Sequence, residues 1–109
     1  MATTYKVLGT SNPAAATATT LYTVPAATSA IVSTINVCNQ AATNDFFRIA
    51  IRPAGATLAA NHYIAYNTVI PANDSMALTM GITLAATDVI TVYAGTTNMS
   101  FLAFGTEIT

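Results

Sequence analysis

Two apolar runs constrain this chain most: residues 29–39 (SAIVSTINVCN) and 45–53 (DFFRIAIRP), joined by the short polar stretch QAATN at 40–44. Both are rich in β-branched and aromatic residues, and both alternate, which is the pattern of β-strands flanking a hairpin loop. In the second run Phe47, Ile49 and Ile51 make one apolar face, while Phe46, Arg48, Ala50 and Arg52 point the other way. The Phe47 face is assigned to the core. In the first run Ile31, Ile35 and Val37 fall with Ser33 on the face that should meet it, and Val32, Thr34, Asn36 and Cys38 fall on the other. Arg48 and Arg52 then stand on the outer face, available to solvent, to a partner's carboxylate, or to an acid of the same chain such as Glu107.

The rest of the chain repeats this signal in shorter pieces. A candidate strand at residues 5–9 precedes an Ala/Thr-rich segment at 10–20, which lacks apolar periodicity and opens with the turn residues Ser11, Asn12 and Pro13. Residues 21–24 form a strand stopped by Pro25, because proline cannot donate to a β-ladder. Residues 62–70 make another strand-length run. Residues 75–82 alternate most strictly, with Met76, Leu78, Met80 and Ile82 on one face, and predict one half-buried strand. Residues 83–87 form a connector and Asp88 a turn. Strands follow at 89–94 and 99–108, separated by the turn residues Gly95 to Asn98.

The sum is about eight short strands at intervals of roughly 8–12 residues, with no amphipathic helix beyond a short helical possibility at 55–62. This predicts an all-β protein: an antiparallel β-sandwich of jelly-roll or Greek-key type. With 109 residues the chain is one domain around one core, divided into a strand and arm at 1–20 and the sandwich proper at 21–109.

Composition bears mainly on function. Charged residues are only 6 % of the chain, against roughly 25 % in ordinary soluble domains. Lys6, Arg48 and Arg52 are the three basic residues and cannot neutralise a run of phosphates, so no nucleic-acid partner is expected. Apolar runs are too short for a membrane-spanning helix, and the first residues, MATTYK, lack the pattern of a signal peptide, so synthesis in a cytoplasm is expected. The lone cysteine, Cys38, has no partner for an intramolecular disulfide and reads as a small hydrophobe within a strand.

Reactive chemistry is not legible. The single histidine, His62, reads as a strand-end or surface residue rather than the base of a nucleophile, and Asp45, Asp74, Asp88 and Glu107 are scattered at turns or near the terminus. No spacing suits a metal, and the five glycines are isolated, so no metal, cofactor or phosphate-loop site is expected. Strict alternation sends Tyr63 and Tyr66 to opposite faces of one strand, which favours packing over a sugar-stacking platform.

The phrases LYTVPA at 21–26, INVCN at 35–39, FRIAIRP at 47–53 and GITLAATD at 81–88 resemble those of small β-sandwich structural proteins of tailed bacteriophages, cyanophages included. The resemblance runs from about Leu21 to Ile108 and carries no transferable catalytic residues. It implies a non-enzymatic virion component: a capsid decoration or cement protein that binds the major capsid protein as a homo-oligomer, with a trimer favoured. Tyr5, Arg48 and Arg52 are the candidate interface contacts. A tail, baseplate or fibre module shares the same composition, and a carbohydrate-binding β-sandwich module is the alternative of a different class.

Overall fold

In a computed structural model, which describes residues 2–109, the chain is all-β and builds two antiparallel sheets packed face to face. Nine strands are formed among the described residues: β1 (Thr3–Ser11), β2 (Thr19–Thr23), β3 (Ser29–Asn39), β4 (Asp45–Arg52), β5 (Tyr63–Ile70), β6 (Ser75–Leu78), β7 (Ile82–Leu84), β8 (Val89–Ala94) and β9 (Met99–Ile108). The first sheet has the order β1-β9-β3-β6, with β7 also on β3, and the second has the order β2-β8-β4-β5. β6 pairs with Ile35 to Cys38 of β3 and β7 with Ala30 to Val32, so the two are halves of one interrupted edge strand. Counted that way the sandwich has eight strand positions, and their interleaved order is that of a jelly roll.

The core lies between the sheets and is made of alternate residues from both. Phe47 and Ile49 of β4, Ile90 and Val92 of β8, Ile35 and Val37 of β3, and Met99 and Phe101 of β9 are all fully buried. Phe47 meets Phe101 edge to face across the sheets, with ring centroids 6.2 Å apart and an interplanar angle of 72°, a geometry that the ring quadrupoles favour. The inward assignment of Phe47 and Ile49 holds, and Ile51 is half-buried against the same core.

The first half of β3 departs from the expected phase. Ala30 and Val32 face inward, and Ile31 is 41 % exposed. The cause is a β-bulge at Ser33: β9 pairs Gly105 with Val32 and Phe104 with Thr34, leaving Ser33 as an extra residue whose hydroxyl donates to the Phe104 carbonyl at 3.0 Å. One extra residue inverts the alternation on its N-terminal side. The partner position must be glycine, since a Cβ on Gly105 would overlap the Ile31 carbonyl oxygen.

The expected single strand at 75–82 is also corrected. The chain leaves β3 at residues 79–81, where Gly81 takes a φ of +64° and Met80 turns out to solvent, and then returns as β7, which starts at the last residue of the expected strand and runs into the expected connector. The region with helical potential, 55–62, holds one 3-10 turn, Ala60–His62, and the last residue of another, Pro53–Gly55.

β1 pairs along its length with β9 of the same chain, and the connection that follows it is tied down. The Asn12 side-chain amide donates to the Thr97 carbonyl at 2.9 Å and the Met99 carbonyl at 2.6 Å, and the Ala16 N–H donates to Ala94 at 2.8 Å. At the same end of the sandwich Asn39, 1 % exposed, donates through Nδ2 to the carbonyls of Thr43, Ile70 and Pro71 and accepts from the Ala41 N–H at 3.0 Å. One buried amide thereby joins the β3–β4 loop to the β5–β6 loop.

Two stability changes follow from these geometries. Asn39→Ala strands several loop carbonyls away from water and should lower the free energy of urea unfolding by about 2 kcal/mol or more. Thr87 holds a φ of +71°, which is costly for a β-branched residue. Thr87→Gly keeps the backbone bond from the residue 87 N–H to Val24, so the same measurement should show a gain of about 1 kcal/mol.

Candidate functional site

The outer face of the second sheet carries a cationic and aromatic cluster centred on Arg48. Alternation in β4 sends Arg48 outward, opposite Tyr93 of β8. Its guanidinium carbon lies 4.3 Å from the ring centroid of Tyr93 and 4.3 Å from that of Tyr66, between the two tyrosines. The Arg48 Nε–H donates to the Asn67 Oδ1 at 2.7 Å, which fixes the plane of the guanidinium. Phe46 extends the cluster, with its ring 6.2 Å from that of Tyr93. A delocalised, weakly hydrated cation is well suited to aromatic faces, each such contact being worth about 0.5–2 kcal/mol depending on exposure.

Tyr66 reaches this cluster because β5 breaks its register with β4 twice. Phe47 pairs with Thr68 and Ile49 with Ala65, so both Tyr66 and Asn67 oppose Arg48; Ala50 then pairs with Tyr63, leaving Ile64 as a second extra residue. Asn67 takes a φ of +50° at the first break, a conformation asparagine tolerates better than most residues. The expected separation of Tyr63 and Tyr66 onto opposite faces is thus overturned. Their rings pack edge to face with centroids 4.9 Å apart and an interplanar angle of 83°. Together with Leu58, Ala59 and Ala60 they line an open groove of about 600 Å³. Its loop wall is fixed by His62, whose Nδ1 accepts from the Ala59 N–H at 3.1 Å.

Arg52 has a different role. Its Nε–H donates to the Thr91 hydroxyl at 3.0 Å and its Nη1 to the carbonyls of Ala56 at 3.0 Å and Gly55 at 3.4 Å, so it staples the loop after β4 to the sheet. Neither arginine meets an acid. Glu107 lies in the first sheet, where it accepts from Lys6 Nζ at 3.0 Å and from the Tyr22 hydroxyl at 2.5 Å. Of the options open to the arginines, the contact with Glu107 does not form; Glu107 pairs with Lys6 instead, the one ion pair among the described residues.

Tyr5, the third candidate contact, lies on the opposite side of the molecule. It is 82 % exposed on β1, in a row with Thr106 and Ile31 across the outer face of the first sheet. Val7 lies in the next row, opposite Phe104. By strand alternation this face is built from Tyr5, Val7, Leu102, Phe104, Ile31, Cys38 and small Thr, Ser and Asn side chains, with no charged residue. The sequence alone paired Tyr5 with the arginines as contacts; the fold separates them onto two faces.

The Tyr22–Glu107–Lys6 group makes stability depend on pH at both ends. The Tyr22 hydrogen bond, then Lys6, holds the Glu107 carboxyl below its ordinary value, while burial, then Glu107, raises the Tyr22 phenol above its own. A lowered acid stabilises the fold above the unfolded carboxylate pKa of about 4.3 and loses that contribution as pH falls through the folded value. A raised phenol stabilises fully below about pH 10 and loses its contribution as pH rises further. Urea midpoints should therefore fall on both flanks, and Glu107→Gln should flatten the acid flank and weaken the alkaline one.

No protein-family model matches this chain, and a search of curated proteins finds no match.

Proposed function

We propose that this protein is a non-enzymatic structural component of a virion, a capsid decoration protein that lays the outer face of its first sheet on the major capsid protein. The observation that carries this reading is the uncharged face around Tyr5, Val7 and Ile31. A sheet face without charge has nothing to repel a flat neighbour and gains by burial, at roughly 25 cal/mol per Å² of apolar area removed from water. The resemblance of the strand and turn phrases to phage structural proteins points the same way, whereas a jelly roll by itself serves many functions. The mechanism is adhesive: many copies bridging capsid subunits oppose the outward pressure of packaged genome. A second copy of the chain on part of the same face, or along the edge strand β1, would give the homo-oligomer expected of such proteins.

Mass spectrometry of purified particles should find the protein at a copy number comparable to that of the major capsid protein, and cryo-electron microscopy should place it on the head surface. Absence from the head, or a few copies confined to the tail, would contradict the proposal. Tyr5→Lys and Ile31→Lys put a charge into the face and should weaken binding to empty capsids by about tenfold or more, with little change in unfolding temperature.

A further inference from the structure

We infer that the outer face of the second sheet binds an acidic saccharide, its sugar ring in the groove against Tyr63 and Tyr66 and its carboxylate on the guanidinium of Arg48. This site is independent of the capsid-binding face and lies on the other sheet.

Charge gives the first reason. Each acid is already engaged: Asp45 accepts from the Phe46 N–H and the Thr96 hydroxyl, Asp74 from the Ser75 N–H, Asp88 from the Ala54 and Ala85 N–H groups, and Glu107 from Lys6 and Tyr22. Arg48 and Arg52 are left as cations with no acid partner, and of the two Arg48 has the freer guanidinium. Its Nε is taken up by Asn67, while Nη1 and Nη2 have no acceptor among the described residues. Two aromatic rings and one hydrogen bond hold this fork in place, so little conformational freedom is lost when it binds a carboxylate.

Shape gives the second. The groove, at about 600 Å³, lies within the size range of small-ligand sites, and Tyr66, which walls it, is also the ring against Arg48. Tyr66 is 57 % exposed, and aromatic walls with hydroxyls at their edges suit a sugar, whose C–H face is apolar and whose rim is polar. Local geometry gives the third, because the two bulges and left-handed Asn67 of β5 are concentrated where they re-aim these side chains.

The anion is a single carboxylate, which the one free fork of Arg48 can take in bidentate fashion; Lys6 is paired with Glu107, and Arg52, which also lacks an acid partner, has its Nε and Nη1 held by Thr91, Gly55 and Ala56.

The test is saturation-transfer NMR and titration calorimetry on the full chain with oligosaccharides of galacturonate, glucuronate and mannuronate and with sialyllactose, beside neutral oligosaccharides of equal length. At least one acidic saccharide should bind, with transfer from tyrosine ring protons. Tyr66→Ala should weaken it about tenfold or more, and Arg48→Gln should bring its affinity down to that of the neutral analogue. Met80→Gln, at the exposed break between β6 and β7, should leave binding unchanged, and the urea midpoints of Tyr66→Ala and Arg48→Gln should report folded proteins. No transfer from any acidic probe at millimolar concentration, or binding indifferent to both Tyr66→Ala and Arg48→Gln, would overturn the inference. So would concentration-dependent self-association abolished by Arg48→Gln, which would assign the guanidinium to a second copy.

Discussion

The apolar layer between the two sheets is the joint on which this molecule depends, and within it Phe47 packs edge to face on Phe101 across the sheets. Electrostatics contributes little here. The chain has three basic and four acidic residues, and among the described residues a single ion pair forms. Stability therefore rests on the apolar layer between the sheets, together with local hydrogen bonds such as those of Asn39 that close the ends of the sandwich. No buried side-chain polar atom among the described residues lacks a partner, as a core so dependent on burial requires.

Around that joint, β-bulges decide which side chains reach which surface. The bulge at Ser33 turns Ile31 outward and contributes an apolar residue to an uncharged face. The breaks in β5 bring Tyr63 and Tyr66 to one face and set Tyr66 beside Arg48. The two outer faces consequently differ in kind: one is uncharged and exposes Tyr5, Val7 and Ile31, and the other presents an oriented cation between aromatic rings. On the proposed functions the first is turned to the particle and the second to the surroundings, a division that a two-layer fold permits because its sheets expose opposite sides.

Strands and core were legible where alternation ran unbroken. The inward face of β4 follows directly from Phe47, Ile49 and Ile51, and the all-β class follows from the spacing of apolar runs and turns. Bulges were not legible because a one-residue insertion leaves composition unchanged while inverting every side chain beyond it. For β3 the signal lies on another strand, in Gly105, whose missing Cβ makes room for the bulge. For β5 the one local sign is Asn67, a residue able to take positive φ within an otherwise regular strand. Gly81 marks the break between β6 and β7, but the alternation on either side of it hides the interruption. The outward direction of Arg48 follows from β4 alone; its aromatic partners come from β5 and β8, and their convergence is a tertiary fact.

The displaced register of β5 is tested most directly by the proton NMR spectrum of the Arg48, Tyr63, Tyr66 and Tyr93 side chains. Rings flanking the guanidinium at 4.3 Å should move the Arg48 δ-protons upfield, and cross-relaxation should link the rings of Tyr63 and Tyr66, whose centroids are 4.9 Å apart. Arg48 protons at random-coil positions, with no cross-peak between the two tyrosine rings, would mean that β5 keeps strict alternation and that no such surface exists.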